Sequence, residues 1–133
     1  MSDLTWGALL LIAAVGGLGA VLRYVSDGLA TYLVQTRWPE SEFPWGLWFV
    51  NISGSMLMGL TAGVVLSEKS APVWAAVVMT GLLGGYTTFS SASYDTVRLI
   101  REGRIFAGFS NAFGVLGIAV VAAGIGLWLG VSA

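Results

Sequence analysis

The chain has 133 residues, 56% of them hydrophobic and only 10% charged, where an ordinary soluble domain carries ~25% charged residues. Its net charge of -1 offers no basic footprint for nucleic acid. With no Cys and no His, disulfides, thiolate chemistry, the usual transition-metal sites and His-based hydrolytic triads are all excluded.

Four runs lack Asp, Glu, Lys and Arg: Leu4 to Leu22, Phe43 to Ser67, Ser70 to Tyr94, and Ile105 to Ala133. Each reaches the ~18 to 20 residues that a helix needs to cross ~30 Å of hydrocarbon. The expectation is an all-α membrane protein of four transmembrane helices, a single domain over residues 1–133, with almost nothing outside the bilayer. No Lys or Arg precedes the first run and Asp3 is the only early charge, so that run is read as a retained helix rather than a signal peptide.

The first helix is predicted to start near Trp6 and to run past Arg23, followed by a connection from about Gln35 to Pro44. An Arg at mid-bilayer depth costs ~2.5 to 3.5 kcal/mol on insertion scales. Arg23 therefore either snorkels to the headgroups or stands in an aqueous vestibule, where its charge would concentrate anions. Trp38, Trp45 and Trp48 fit an interfacial aromatic belt.

The second helix is predicted from about Trp45 to Leu66, with Ser67 to Ser70 as a polar turn and Pro72 in the first turn of the next helix. Asn51 is a polar amide inside an apolar span. An unpaired amide in hydrocarbon costs several kcal/mol, so Asn51 must bond to a neighbouring helix or aim its N–H donors at a permeating anion.

The third run is unusual, because Gly81-Leu82-Leu83-Gly84-Gly85-Tyr86-Thr87-Thr88-Phe89-Ser90-Ser91 puts glycines and hydroxyls at its middle. Each helix-interior Gly costs ~1 kcal/mol relative to Ala, and the Gly84-Gly85 pair invites unwinding. Carbonyls freed at that depth must find protein or water. Phe89 reads as packing, or as a ring turned edge-on to a pore, where its positive rim would hold a dehydrated anion. The Thr88 and Ser90 hydroxyls would replace lost water. Asp95 and Arg98, at i,i+3, read as a helix-end ion pair.

The fourth helix is predicted to begin after the turn Arg101-Glu102-Gly103-Arg104. Gly59 with Gly63, Gly81 with Gly85, and Gly126 with Gly130 have the small-xxx-small spacing that lets helix backbones approach closely in lipid. Their contacts are either internal or between subunits.

Gly-Gly-Leu-Gly-Ala-Val-Leu-Arg-Tyr at positions 16 to 24, Val50-Asn51 with Gly54, and Gly84-Gly85-Tyr86-Thr87-Thr88-Phe89-Ser90 occur in order on spans 1, 2 and 3. Together they make the chain resemble the Fluc (CrcB-type) fluoride channel family over essentially its whole length. The resemblance implies a broken third helix, an antiparallel dimer, two narrow fluoride pores and a structural sodium ion buried at the interface. Asn51 would be a pore-lining amide, Phe89 the first of two pore phenylalanines and Arg23 a vestibule cation. The backbone carbonyls of Gly84 and Thr87 would bind the sodium.

The sequence departs from the family's pattern at three places. Ala92 stands at the second pore phenylalanine, Asp95 where a Glu is common, and the polar track of the fourth helix falls on Asn111, Val115 and Ala119. One of two pores would then be degenerate. The alternatives are a proton-coupled small multidrug transporter, which needs a membrane carboxylate that the first helix lacks between Asp3 and Asp27, and a non-conducting assembly partner. Neither catalytic turnover nor ATP dependence is expected, for want of a phosphate loop or a base constellation.

Loops 1-2 and 3-4 share one side and carry Arg37, Arg101 and Arg104, with Arg98 nearby, against Lys69 alone on the other. The positive-inside rule then puts both termini outside an inner (plasma) membrane. That bias favours one orientation, and so a heterodimer with a homologous subunit inserted the opposite way.

Overall fold

A computed structural model describes residues 5–133; Asp3 and the start of the first apolar run at Leu4 lie outside the described residues. Among the described residues, four helices are long and apolar enough to cross a membrane: span 1 (Trp6–Arg37), span 2 (Trp45–Glu68), span 3 (Val73–Arg101) and span 4 (Ile105–Ser132). There are no strands among the described residues.

Span 1 starts where the Thr5 hydroxyl accepts the Ala8 N–H at 3.2 Å, a side-chain cap on an otherwise orphaned donor. Span 2 runs on through Glu68 and stops at Lys69, which adopts a left-handed φ of 53°; the expected turn is correspondingly shorter. Pro72 is the cap rather than a first-turn residue of span 3. The turn before span 4 closes on Gly103, at φ 79°, a conformation that glycine adopts without a Cβ penalty.

Small residues face inward and large ones outward. Leu10, Phe106 and Trp128 stand exposed while Gly19, Gly59, Gly63, Gly126 and Gly130 are buried. Lipid rewards this arrangement, because apolar side chains gain nothing by leaving it and helices associate through close backbone packing.

Two glycine seams result. In the seam between spans 2 and 4, a Cβ on Gly126 would collide with the Met56 carbonyl, and one on Gly63 would reach 2.8 Å from the Gly130 Cα. In the seam between span 1 and the first half of span 3, a Cβ on Gly85 would collide with the Gly16 carbonyl. Gly59 and Gly81 likewise face neighbouring backbone of the same chain. The small-residue pairs are therefore internal packing surfaces.

Span 3 is broken, at the Thr87 end of the stretch from Gly84 to Thr87 rather than at the glycine pair itself. Val77–Leu83 is π-helical and Gly84–Tyr86 remains helical; the chain becomes extended at Thr87 (φ -82°, ψ 157°), and Ser90–Arg101 resumes the helix. Gly85 lacks a side chain so that span 1 can approach. The interruption itself is made by the side-chain bonds around Thr87 and Thr88 described below.

Candidate pore and cation site at the break in the third span

Span 2 holds the break by one amide. Asn51 Oδ1 accepts the Thr88 backbone N–H at 2.9 Å, while Asn51 Nδ2 donates to the Leu47 carbonyl one turn back at 3.2 Å. The Thr88 donor fixes which end of the amide carries oxygen. An interhelical bond is thus present and uses the acceptor, while one of the two N–H groups is spent within span 2. Gly54, one turn further on, makes room for the break: a Cβ there would meet the Thr87 methyl and come within 3.0 Å of the Tyr86 ring. The Tyr86 hydroxyl in turn lies 3.1 Å from Ser53 Oγ.

After the break, the Ser91 N–H donates to Thr88 Oγ1 at 3.2 Å, and the Ser90 hydroxyl lies 3.2 Å from the same oxygen. The Thr87 hydroxyl donates back to the Leu83 carbonyl at 3.0 Å. Among the described residues, no hydrogen bond ends on the carbonyls of Gly84 or Thr87. The carbonyls of Gly85 and Thr88 also lack donors among the described residues, so the break presents a run of open, uncharged oxygens of the kind that suits a small hard cation. The chemistry of the donors therefore fits the sodium that the family resemblance implies.

A groove of ≈ 570 Å³ opens beside the break, between span 2, the second half of span 3 and span 4. It collects Asn51, Thr87, Thr88 and Phe89. Phe89 is 86% exposed, so its ring stands clear of the chain's own body rather than packing in it. Of the departing positions, Ala92, Val115 and Ala119 line this same groove, and its span 4 wall is apolar. Ser90 is exposed and lies beside the groove, not on its lining.

Arg23 sits inside span 1 and lines a separate recess of ≈ 230 Å³ with Asp27, Thr88 and Ser91. The structure gives it no ion pair among the described residues. The break is thus approached from two sides, with Thr88 common to both cavities.

Asn111 does not face the groove, as a polar-track residue would. It is fully buried: its Oδ1 accepts the Trp48 indole N–H at 2.8 Å, and its Nδ2 donates to the Ala92 carbonyl at 3.2 Å and to Thr96 Oγ1 at 2.9 Å. Trp48 accordingly turns its polar edge inward rather than toward an interface. Sequence reasoning missed this centre, although a Trp and an Asn in apolar spans each demand a partner. The Asp95–Arg98 ion pair is present at 3.4 Å. Glu42 meets Arg104 at 3.3 Å, which ties loop 1-2 to loop 3-4 at one end of the bundle.

Comparison with known proteins shows the family. The chain is 44% identical over 121 residues to Fluoride-specific ion channel FluC 1 of Leifsonia xyli subsp. xyli, covering 91% of this chain and 85% of that one. It is 42% identical to FluC 2 and 39% identical to FluC 1 of Nitrobacter hamburgensis, each over 90% of this chain and 94% of theirs. Residues 10–130 match the family model described as CrcB-like protein, Camphor Resistance (CrcB), and this multi-pass membrane protein belongs to that family.

Proposed function

We propose that the chain is a pore-forming subunit of a fluoride-selective channel, through which cytoplasmic fluoride leaves the cell passively. The observation that carries this reading is the Asn51 amide: bound to Thr88 and Leu47, it keeps a second N–H for the groove it lines. A held donor at a constriction replaces an anion's hydration without the full positive charge that would trap it. The names of the relatives supply the ion. Phe89, projecting from the subunit, offers a ring edge, and the Thr88 and Ser90 hydroxyls stand next to it. Arg23 provides the vestibule charge. The groove's lining holds no Asp or Glu among the described residues, which disfavours proton-coupled exchange.

The Gly84 and Thr87 carbonyls hold a structural sodium in this reading, with no part in the conduction step. The subunit works as half of an antiparallel dimer in the inner membrane, both termini outside, surrounded by lipid. Its partner is a homologous subunit of opposite orientation. Three observations support a heterodimer: Arg37, Arg101 and Arg104 outnumber Lys69 across the membrane; Ala92, Val115 and Ala119 line this chain's groove; and Nitrobacter hamburgensis carries two similar chains.

Fluoride efflux from proteoliposomes tests the reading. Rapid, chloride-excluding efflux is expected when the chain is reconstituted with its homologous partner. Absence of flux under every pairing would leave a non-conducting assembly subunit, and brisk flux from this chain alone would end the heterodimer reading. Single cysteines at Ser70 and Arg104, labelled in intact cells, test the orientation: reagent should reach position 70 and not 104.

A further inference from the structure

Five hydroxyls line the groove beside the break, those of Ser55, Thr87, Thr88, Ser93 and Thr96. Three are spent within the chain. Thr87 donates to the Leu83 carbonyl at 3.0 Å, Thr96 to the Ala92 carbonyl at 2.9 Å, and Thr88 is bonded to Ser90 and Ser91. A hydroxyl inside an apolar helix can satisfy itself by bonding back one turn, as Ser53 does to the Phe49 carbonyl at 2.7 Å and Thr61 to the Leu57 carbonyl at 2.8 Å. Ser55 and Ser93 form no side-chain hydrogen bond among the described residues. Because no buried side-chain oxygen is left without a partner, both hydroxyls stand open to the groove.

Their depth matches what span 4 lacks. Spans 2 and 4 both start at the end of the bundle tied by the Glu42–Arg104 pair, so they run in the same direction. Gly59 packs against the Ala123 carbonyl. Stepping back along both helices by four residues puts Ser55 level with Ala119, and by eight puts Asn51 level with Val115. On span 3, Ser93 belongs to the turn that Asn111 grips through the Ala92 carbonyl and Thr96. We propose that Ser55 and Ser93 are anion-binding residues: with the spare N–H of Asn51 between them, they carry on spans 2 and 3 the line of donors that Asn111, Val115 and Ala119 do not supply on span 4.

This inference rests on the pore reading above and names further residues of the same site. A small anion stripped of water needs donors at successive depths, and hydrogen bonds to a charged partner are roughly twice as strong as neutral ones. Ser55 and Ser93 meet that need at opposite sides of Asn51 along the groove, facing an apolar wall that offers no competing acceptor. Losing one such donor costs about tenfold in flux.

The full-length chain is reconstituted in the assembly that conducts, and fluoride efflux and melting temperature are measured together. Ser55→Ala and Ser93→Ala should each slow efflux about tenfold and leave the melting temperature unchanged, because neither hydroxyl has a partner in the folded chain. Thr61→Ala, which removes a hydroxyl already spent on its own helix, should conduct at the parent rate. Adding Ala119→Ser to Ser55→Ala should recover most of the lost flux, since it returns a hydroxyl at the same depth across the groove.

Parent-rate efflux in the Ser55→Ala, Ser93→Ala double variant, with Asn51→Ala slow, would overturn the inference and leave the pore reading standing. Parent-rate efflux in Asn51→Ala as well, or no efflux from the parent under any pairing, would remove both. A loss of flux that follows a fall in melting temperature, without recovery from Ala119→Ser, would make the serines packing residues and overturn the inference.

Discussion

Two asparagines stand inside apolar spans of this chain, and their surroundings are opposite. Asn111 on span 4 is fully buried, with three hydrogen bonds reaching Trp48, Ala92 and Thr96. Asn51 on span 2 is half-buried, makes two bonds, and faces a groove. The first is saturated and therefore structural. The second has spare donor capacity beside a solvent-sized cavity, which is what a binding group requires. The side chain is the same in both; the number of donors left over differs.

The largest effect that separates the two should come from removing the unsaturated amide. Asn51→Ala, or Phe89→Ala beside it, is expected to slow fluoride flux by at least about tenfold, the equivalent of one strong polar contact to a charged ion. Both variants should still purify folded. Flux at the parent rate in either variant would erase the contrast with Asn111.

Asn111→Leu should show the reverse pattern. Hydrogen bonds between membrane helices average ~0.6 kcal/mol, so losing three costs roughly 2 kcal/mol. Thermal stability in detergent should fall accordingly, while fluoride selectivity over chloride per folded channel stays unchanged. A change in selectivity without loss of stability would place Asn111 in the conduction path after all.

The seams provide an effect of similar or smaller size. Gly126→Ala drives a Cβ into the Met56 carbonyl, and overpacking of this kind costs ~1 to 3 kcal/mol. Gly117 and Gly124 on the same span would meet nothing within 4 Å. Gly124→Ala should therefore be neutral or stabilising by up to ~1 kcal/mol. Equal melting temperatures for the two alanine variants would show that span 4 shifts to accommodate the added methyl.

The smallest effect belongs to the loop ion pair. Glu42 is two-thirds exposed and Arg104 more than one-third, so Arg104→Gln should change stability by less than ~1 kcal/mol. It removes one of the three Arg that set the loop bias, so its clearer readout is topology. A growing fraction of chains labelled from the opposite side would show how narrowly orientation is set.

The sequence by itself determined the four spans, their ends to within a few residues, and the small-residue spacing of the glycines, because each is a one-dimensional requirement. A helix must be apolar for about 20 residues to cross the bilayer, and close packing in lipid needs small residues at fixed spacing. It also singled out Asn51 and the segment from Gly84 to Ser90, since polar groups at that depth need a reason.

What it could not determine was partnership. The break was expected between Gly84 and Thr87 and lies at the Thr87 end of that stretch, where Asn51, 37 residues earlier in the chain, takes the Thr88 N–H. Asn111 was expected on a polar track and is sealed inside, because Trp48 and Thr96 happen to converge on it. A hydrogen bond depends on two groups meeting in space at about 3 Å, and only the tertiary structure decides which donors arrive.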